Sequence, residues 1–197
     1  MALKLRIATT SILLLLIAGA NAAETPATTG ESKGWELKGI HLGGSQADVQ
    51  AQLPTASCVS KPADAGIVLC TDDKNTLGGE PASVVVKLLD GLVVHVSIEN
   101  LTYEQAYAAC APLAGKFGPA TEISKVPTQL QRGRYVERQN KERCVWRDGE
   151  NSLYVEPADW TDKKKLFTYS AIILIDEPKH NREWTVRYNA KNSPTDL

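Results

Sequence analysis

The sequence predicts an α+β domain of two layers, an antiparallel sheet with short helices packed on one face and two disulfides holding it. Three observations predict it. Runs of alternating apolar and polar residues recur between turn residues, two helix starts carry capping pairs, and an even number of cysteines follows a segment built for export.

That segment comes first. Lys4 and Arg6 precede an apolar run from Ile7 to Ala20, and Ala20-Asn21-Ala22 supplies the small residues a signal peptidase needs. The run is shorter than the roughly 20 residues of a spanning helix, so residues 1–22 read as a cleavable signal peptide. The first cysteine is Cys58, which leaves no thiol for a lipid near the cut. The expected product is periplasmic or secreted, is not a lipoprotein and has no stable membrane insertion. Loss of Lys4 and Arg6 takes 22 basic residues to 20 against 23 acidic ones, a balance that argues against nucleic acid as partner. Residues 23–34 are small and polar, a flexible leader, and residues 189–197 read as a tail. Between them, 35–188 reads as one domain, with 35–100 and 101–188 as possible modules.

Trp35 to Leu42 opens the domain as a strand. After Gly43-Gly44, Ser45 can cap a helix with Asp48 as its capping-box partner, and Pro54 stops that helix after two turns. Strands follow near Ala56 to Ser60 and Gly66 to Thr71, each with one cysteine, and Asp72 to Glu80 reads as a loop.

Ala82 to Glu99 is a hairpin. A three-residue loop, Leu89-Asp90-Gly91, would pair Leu88 with Leu92, Val86 with Val94 and Val84 with Val96, making one face wholly apolar. The other face then carries Val85, Lys87, Val93, His95 and Ser97, a mixture suited to water.

Thr102 caps the second helix with Gln105 as its partner, and Tyr103, Tyr107, Cys110, Ala114 and Phe117 recur at helical spacing. Pro112 must kink or restart it, and Gly118-Pro119 ends it. Strands follow at Arg143 to Asp148, Ser152 to Glu156 and Leu166 to Ile175, with Glu183 to Tyr188 as a further edge strand.

In an exported chain Cys58, Cys70, Cys110 and Cys144 imply two disulfides. Cys58 with Cys70 would close a strand-loop-strand segment, and Cys110 with Cys144 would hold the second helix against the sheet. There is no CxxC, and His41, His95 and His180 do not stand at ligand spacing from a cysteine, so no metal is expected.

The stretch Leu37-Lys38-Gly39-Ile40-His41-Leu42-Gly43-Gly44-Ser45-Gln46-Ala47-Asp48-Val49, running on to Cys58 and Cys70, resembles a known module. It is similar to the repeat of the beta-lactamase inhibitory proteins and, more loosely, to the BamE-like outer-membrane accessory proteins, over roughly residues 37–100. No second Gly-x-Ser/Thr opening follows near residue 100. The resemblance implies a strand, a capped helix and a cysteine-bracketed hairpin, and a habit of binding other proteins with one sheet face and loops.

Catalytic signatures do not appear: there is no Gly-x-Ser-x-Gly, P-loop, dinucleotide fingerprint or His-Glu-x-x-His. His41 and His95 read as surface histidines, Asp72-Asp73-Lys74-Asn75 as a solvated turn, and the arginine-rich stretch from Arg132 to Arg147 as a solvated hairpin. Trp160 reads as a tryptophan inside a charged loop, flanked by Asp159, Asp162 and Lys163-Lys164-Lys165. Folded back it would be core, and exposed it would be an anchor for a partner. The expected function is a non-enzymatic binding domain, an inhibitor or an envelope accessory factor, without a cofactor. Its partner would be another exported or envelope protein, met by Trp160, Lys87, His95, Val85 and Val93. The alternative is an envelope-polymer hydrolase with a site assembled from distant residues.

Overall fold

Ser45 and Thr102 cap helices as their positions predict. The computed structural model describes residues 34–60, 66–132, 135–162 and 165–192, with side chains except at 129–138, 158–169 and 188–192; the expected signal peptide, most of the expected leader and the last residues of the expected tail lie outside it. A short strand pair, β1 (Glu36–Leu37) and β2 (Ile40–His41), leads to α1 (Gln46–Gln52). Ser45 Oγ accepts from the Asp48 amide at 3.3 Å and Asp48 Oδ2 accepts from the Ser45 amide at 2.8 Å. At the second start, Thr102 and Gln105 make the same exchange. That helix breaks at Ala109 into α2 (Tyr103–Ala108) and α3 (Cys110–Phe117), so Pro112 falls in the first turn of a restarted helix, where its missing N–H costs little.

The strands are β3 (Ser57–Ser60), β4 (Ile67–Leu77), β5 (Glu80–Leu89), β6 (Leu92–Leu101), β7 (Glu122–Arg132), β8 (Tyr135–Asp148), β9 (Asn151–Asp162) and β10 (Lys165–Asp176). They form one antiparallel sheet in the order β3-β4-β5-β6-β10-β9-β8-β7. Both disulfides pair as the sequence suggested. Cys58 and Cys70 are directly opposed on β3 and β4, and Cys110 at the start of α3 joins Cys144 on β8. The main core lies between the sheet and α1, α2 and α3, with Val49, Leu53, Ala106, Val84, Val86, Val96, Ile98, Leu153 and Leu174 in one cluster. The Asp72 to Glu80 segment is strand rather than loop as far as Leu77, turned by Gly78-Gly79. Asp72 is buried and accepts from the Lys74 amide and the Thr55 hydroxyl.

The β5–β6 hairpin departs from the expected register. Its turn has two residues, Asp90 at φ 53° and Gly91 at φ 82°, the pair of left-handed conformations that matches strand twist. Leu89 therefore faces Leu92 and Leu88 faces Val93, while a bulge brings Lys87 opposite His95, Val86 opposite Val96 and Val84 opposite Ile98. The extra residue moves Val93 into the main core and Val94 onto the other face. Val93 is thus no part of a polar face.

The expected edge strand at Glu183 to Tyr188 is instead helical, part of α4 (Glu177–Asn192), which also takes in the start of the expected tail. Asp176 caps it: its Oδ1 accepts from the Lys179 amide at 3.2 Å. Pro178 fits the first turn and Glu183 pairs with Arg187 one turn on. This helix lies against β6 and β10 on the side away from α1 to α3, so helices cover both faces, where one covered face was expected. Asp176→Ala should cost about 1 kcal/mol of cap energy, read as weaker amide-exchange protection in α4 alone. Unchanged protection would mean that the cap does not hold the helix.

Candidate functional site

Two places gather the residues singled out from the sequence. The first is the β9–β10 hairpin. Pairing of β8 with β9 is confined to Val145–Asp148 against Asn151–Tyr154, and β6 meets β10 only between Ser170 and Ile175. The β9–β10 ladder nevertheless runs on to Asp162 and Lys165. Its outer half therefore has neither β8 nor β6 as a ladder neighbour and forms an arm. The β7–β8 ladder likewise runs out to Arg132 and Tyr135, Arg143 Nη1 meets Glu156 Oε2 at 3.2 Å, and β7 also touches β9 and β10.

Trp160 lies on this arm, in strand rather than in a loop, as the register partner of Phe167. Two positions along, Ala158 pairs with Tyr169, and toward the tip Asp162 pairs with Lys165. By the two-residue period of a strand these pairs fall on one face, which places Trp160, Phe167 and Tyr169 together with an oppositely charged pair beyond them. The Trp160 side chain lies outside the described residues, as do Lys163 and Lys164.

The second place is the sheet face beneath α4. Lys87 and His95 are register partners there, with Val85 and Ser97 the next pair. Val85 and Lys87 are half-buried, and His95 and Ser97 are buried. α4 covers His95, its His180 ring 5.0 Å from that of His95 between centroids, with Lys87 beside the pair. Glu183 is fully buried and paired with Arg187, and His180 Nδ1 stands 3.8 Å from Glu183 Oε2. Among the described residues, neither ring nitrogen of His95 has a hydrogen-bond partner. Burial, reinforced by the neighbouring Lys87 charge and then by His180 and Arg187, holds His95 well below the ordinary imidazole value. Burial and the same two cations bring His180 down to about 4, and burial followed by Arg187 lowers Lys87. His41 is exposed beside Glu36 at 3.3 Å.

Three clefts open elsewhere. One of about 520 Å3 lies among Trp35, Phe117, Trp146, Lys116, Arg147 and Asp148, and a polar one gathers Tyr103, Lys125 and Glu142. The third, of about 300 Å3, is apolar, with Leu37, Leu77 and Leu113 in its wall and Lys38 and Lys116 at its mouth. Both of those lysines are engaged, Lys38 with the Thr76 carbonyl and Lys116 with Glu36. None of these three clefts contains a histidine. Among the described residues no group of three His, Cys, Asp or Glu side chains is placed to hold a metal, and no helix is long and apolar enough to cross a membrane.

The arm was missed in the sequence because Pro157 and the charges from Asp159 to Lys165 read as loop punctuation. Its signal was the alternation of Phe167, Tyr169 and Ala171 continuing back from Ile173. The helical half of the histidine cluster was missed with α4 itself. No protein-family model matches the chain, and no curated protein and no solved structure is significantly similar to it.

Proposed function

We propose that the chain is an exported, non-enzymatic binding protein, an inhibitor or an envelope accessory factor, that holds another exported or envelope protein with its β9–β10 arm. One observation carries the reading: the register that sets Trp160 opposite Phe167, with Tyr169 two positions along, on a hairpin that extends past its ladder neighbours. Aromatic residues flanked by charge are the composition of a binding hot spot, and a hairpin that runs past its β6 and β8 ladders can meet a partner without disturbing the core.

Other features support the reading. The stretch that resembles inhibitory-protein and BamE-like modules folds as a strand pair, a capped helix and a hairpin closed by Cys58–Cys70. Two disulfides suit an oxidising compartment outside the cytoplasm. A hydrolase needs a histidine and carboxylates around an open pocket, whereas His95 lies under a helix.

The test is capture from envelope extract with the mature protein as bait, the retained protein then being purified and rebound in solution. The expected result is saturable binding of one envelope protein to the wild type and its loss in Trp160→Ala and Phe167→Ala. Equal binding by the variants would move the site off the arm, and turnover of an envelope polymer by the wild type would favour the hydrolase.

A further inference from the structure

Among the described side chains of α4, Val186 packs on the small cluster of Ile67, Leu89 and Val94. Polar ties add to it: Arg182 to Asp90 at 3.1 Å, Glu177 to Arg147 at 2.6 Å and to Ser152 at 2.5 Å. Exposed pairs of this kind contribute only fractions of a kcal/mol. The helix is therefore among the first elements expected to open locally.

Beneath it lies a cluster whose charge balances only while two imidazoles stay neutral. β5 contributes Lys87, and β6 contributes His95 with Glu99, which accepts from Ser97 at 2.6 Å. β10 places uncharged Ile175 opposite His95 and ends at Asp176, paired with Lys179 at 2.6 Å. α4 itself contributes His180, Glu183 and Arg187. Lys87 and Arg187 thus stand against Glu183 and Glu99. A proton on each of the stacked rings would add two positive charges, and Glu183, the acid that stands 3.8 Å from His180 Nδ1, is already taken by Arg187.

We propose that α4 is an acid-released latch over the β5, β6 and β10 face, with His95 and His180 as its trigger. In acid the rings protonate, repel Lys87 and Arg187, and are relieved when the helix lifts into water. Release bares Ile67, Leu89 and Val94. Depressed folded-state values mean that the closed form is favoured above the ordinary imidazole value near 6.5 and loses that advantage as pH falls toward about 4. The latch does not depend on what the β9–β10 arm binds.

Amide hydrogen exchange, corrected for the intrinsic rate at each pH, tests it. With a ring value of about 6.5 in the open state and, for His180, about 4 in the closed one, protonation of His180 alone should lower α4 protection about twenty-fold between pH 7 and pH 5. His95, held below the ordinary imidazole value by burial, deepens the fall, while β5 and β6 amides in the main core keep theirs. His95→Phe with His180→Gln should remove most of that fall. Ring titrations of the wild type by NMR give the same test without a substitution: His180 and His95 should titrate well below the ordinary imidazole value near 6.5. Rings that titrate near 6.5, unchanged α4 protection at pH 5, or loss of core protection in step with α4 would each overturn the proposal.

Discussion

Removing the Cys110–Cys144 bridge by paired alanine substitutions should destabilise the domain by about 4 kcal/mol. The two cysteines are 34 positions apart, and on the chain-entropy view a loop of that length releases about that much when opened. The bridge also does something local. α3 has no side-chain cap of its own and no fully buried residue, so Cys110 adds a covalent hold to the half-buried Leu113, Ala114 and Phe117 that pack on the core. The bond anchors it to Cys144, buried beside Trp146, whose indole donates to the Gly118 carbonyl at 2.8 Å just past the helix end. Opening the Cys58–Cys70 loop, 12 positions long, should cost about 3 kcal/mol, and it sits between strands already paired. Chemical denaturation of the two double variants should rank them in that order. Equal and small losses would mean that the bridges staple what packing already holds.

Val93→Asp should abolish folding, and Val94→Asp should not. The two valines are adjacent and both fully buried, yet the bulge opposite Lys87 and Leu88 sends them to opposite faces. Val93 enters the main core with Val86, Val96 and Leu153, where a carboxylate would have no partner and would cost several kcal/mol, more than a domain of this size can spare. Val94 belongs to the small cluster with Ile67 and Leu89 under α4. A carboxylate there can reach water once that helix lifts, at the cost of α4 alone. Far-UV circular dichroism and core amide protection should show an unfolded first variant and a folded second one with α4 exposed. The reverse order would restore a three-residue turn and an unbroken register.

These two neighbours also show where sequence reasoning stops. Hydrophobic alternation cannot locate a bulge inside Leu92-Val93-Val94-His95-Val96, because valine satisfies either face and a slip of one residue leaves the pattern intact. The left-handed pair Asp90-Gly91 was the better guide, since it fits a two-residue turn directly. Capping boxes at Ser45 and Thr102 were legible because cap chemistry is local: a hydroxyl and an acid or amide three residues on have few other uses. The disulfide pairing was legible for a related reason, each cysteine falling on an element already placed.

α4 was not legible by the same means. Its sequence is polar on all sides, so no apolar stripe announces it, and Trp184-Thr185-Val186 by itself suggests a strand. Asp176, Pro178 and the Glu183 to Arg187 spacing carried the information, and they speak only to a reader looking for a helix start at the end of a strand. Consequently Lys87 and His95 were found but not their cover. Trp160 was found as well, while its partners Phe167 and Tyr169 depended on a register that charged flanks concealed.

The arm as binding element is tested most directly by comparing affinity and stability in one variant. A buried Trp truncated to Ala costs roughly 3 to 5 kcal/mol of folding, whereas a hot-spot Trp costs about 2 kcal/mol or more of binding. Purified Trp160→Ala should therefore keep its melting temperature within a few degrees of the wild type and bind the captured envelope protein about thirty-fold more weakly, or not at all. A melting temperature lowered by ten degrees or more with affinity preserved would make Trp160 a structural residue and contradict the account.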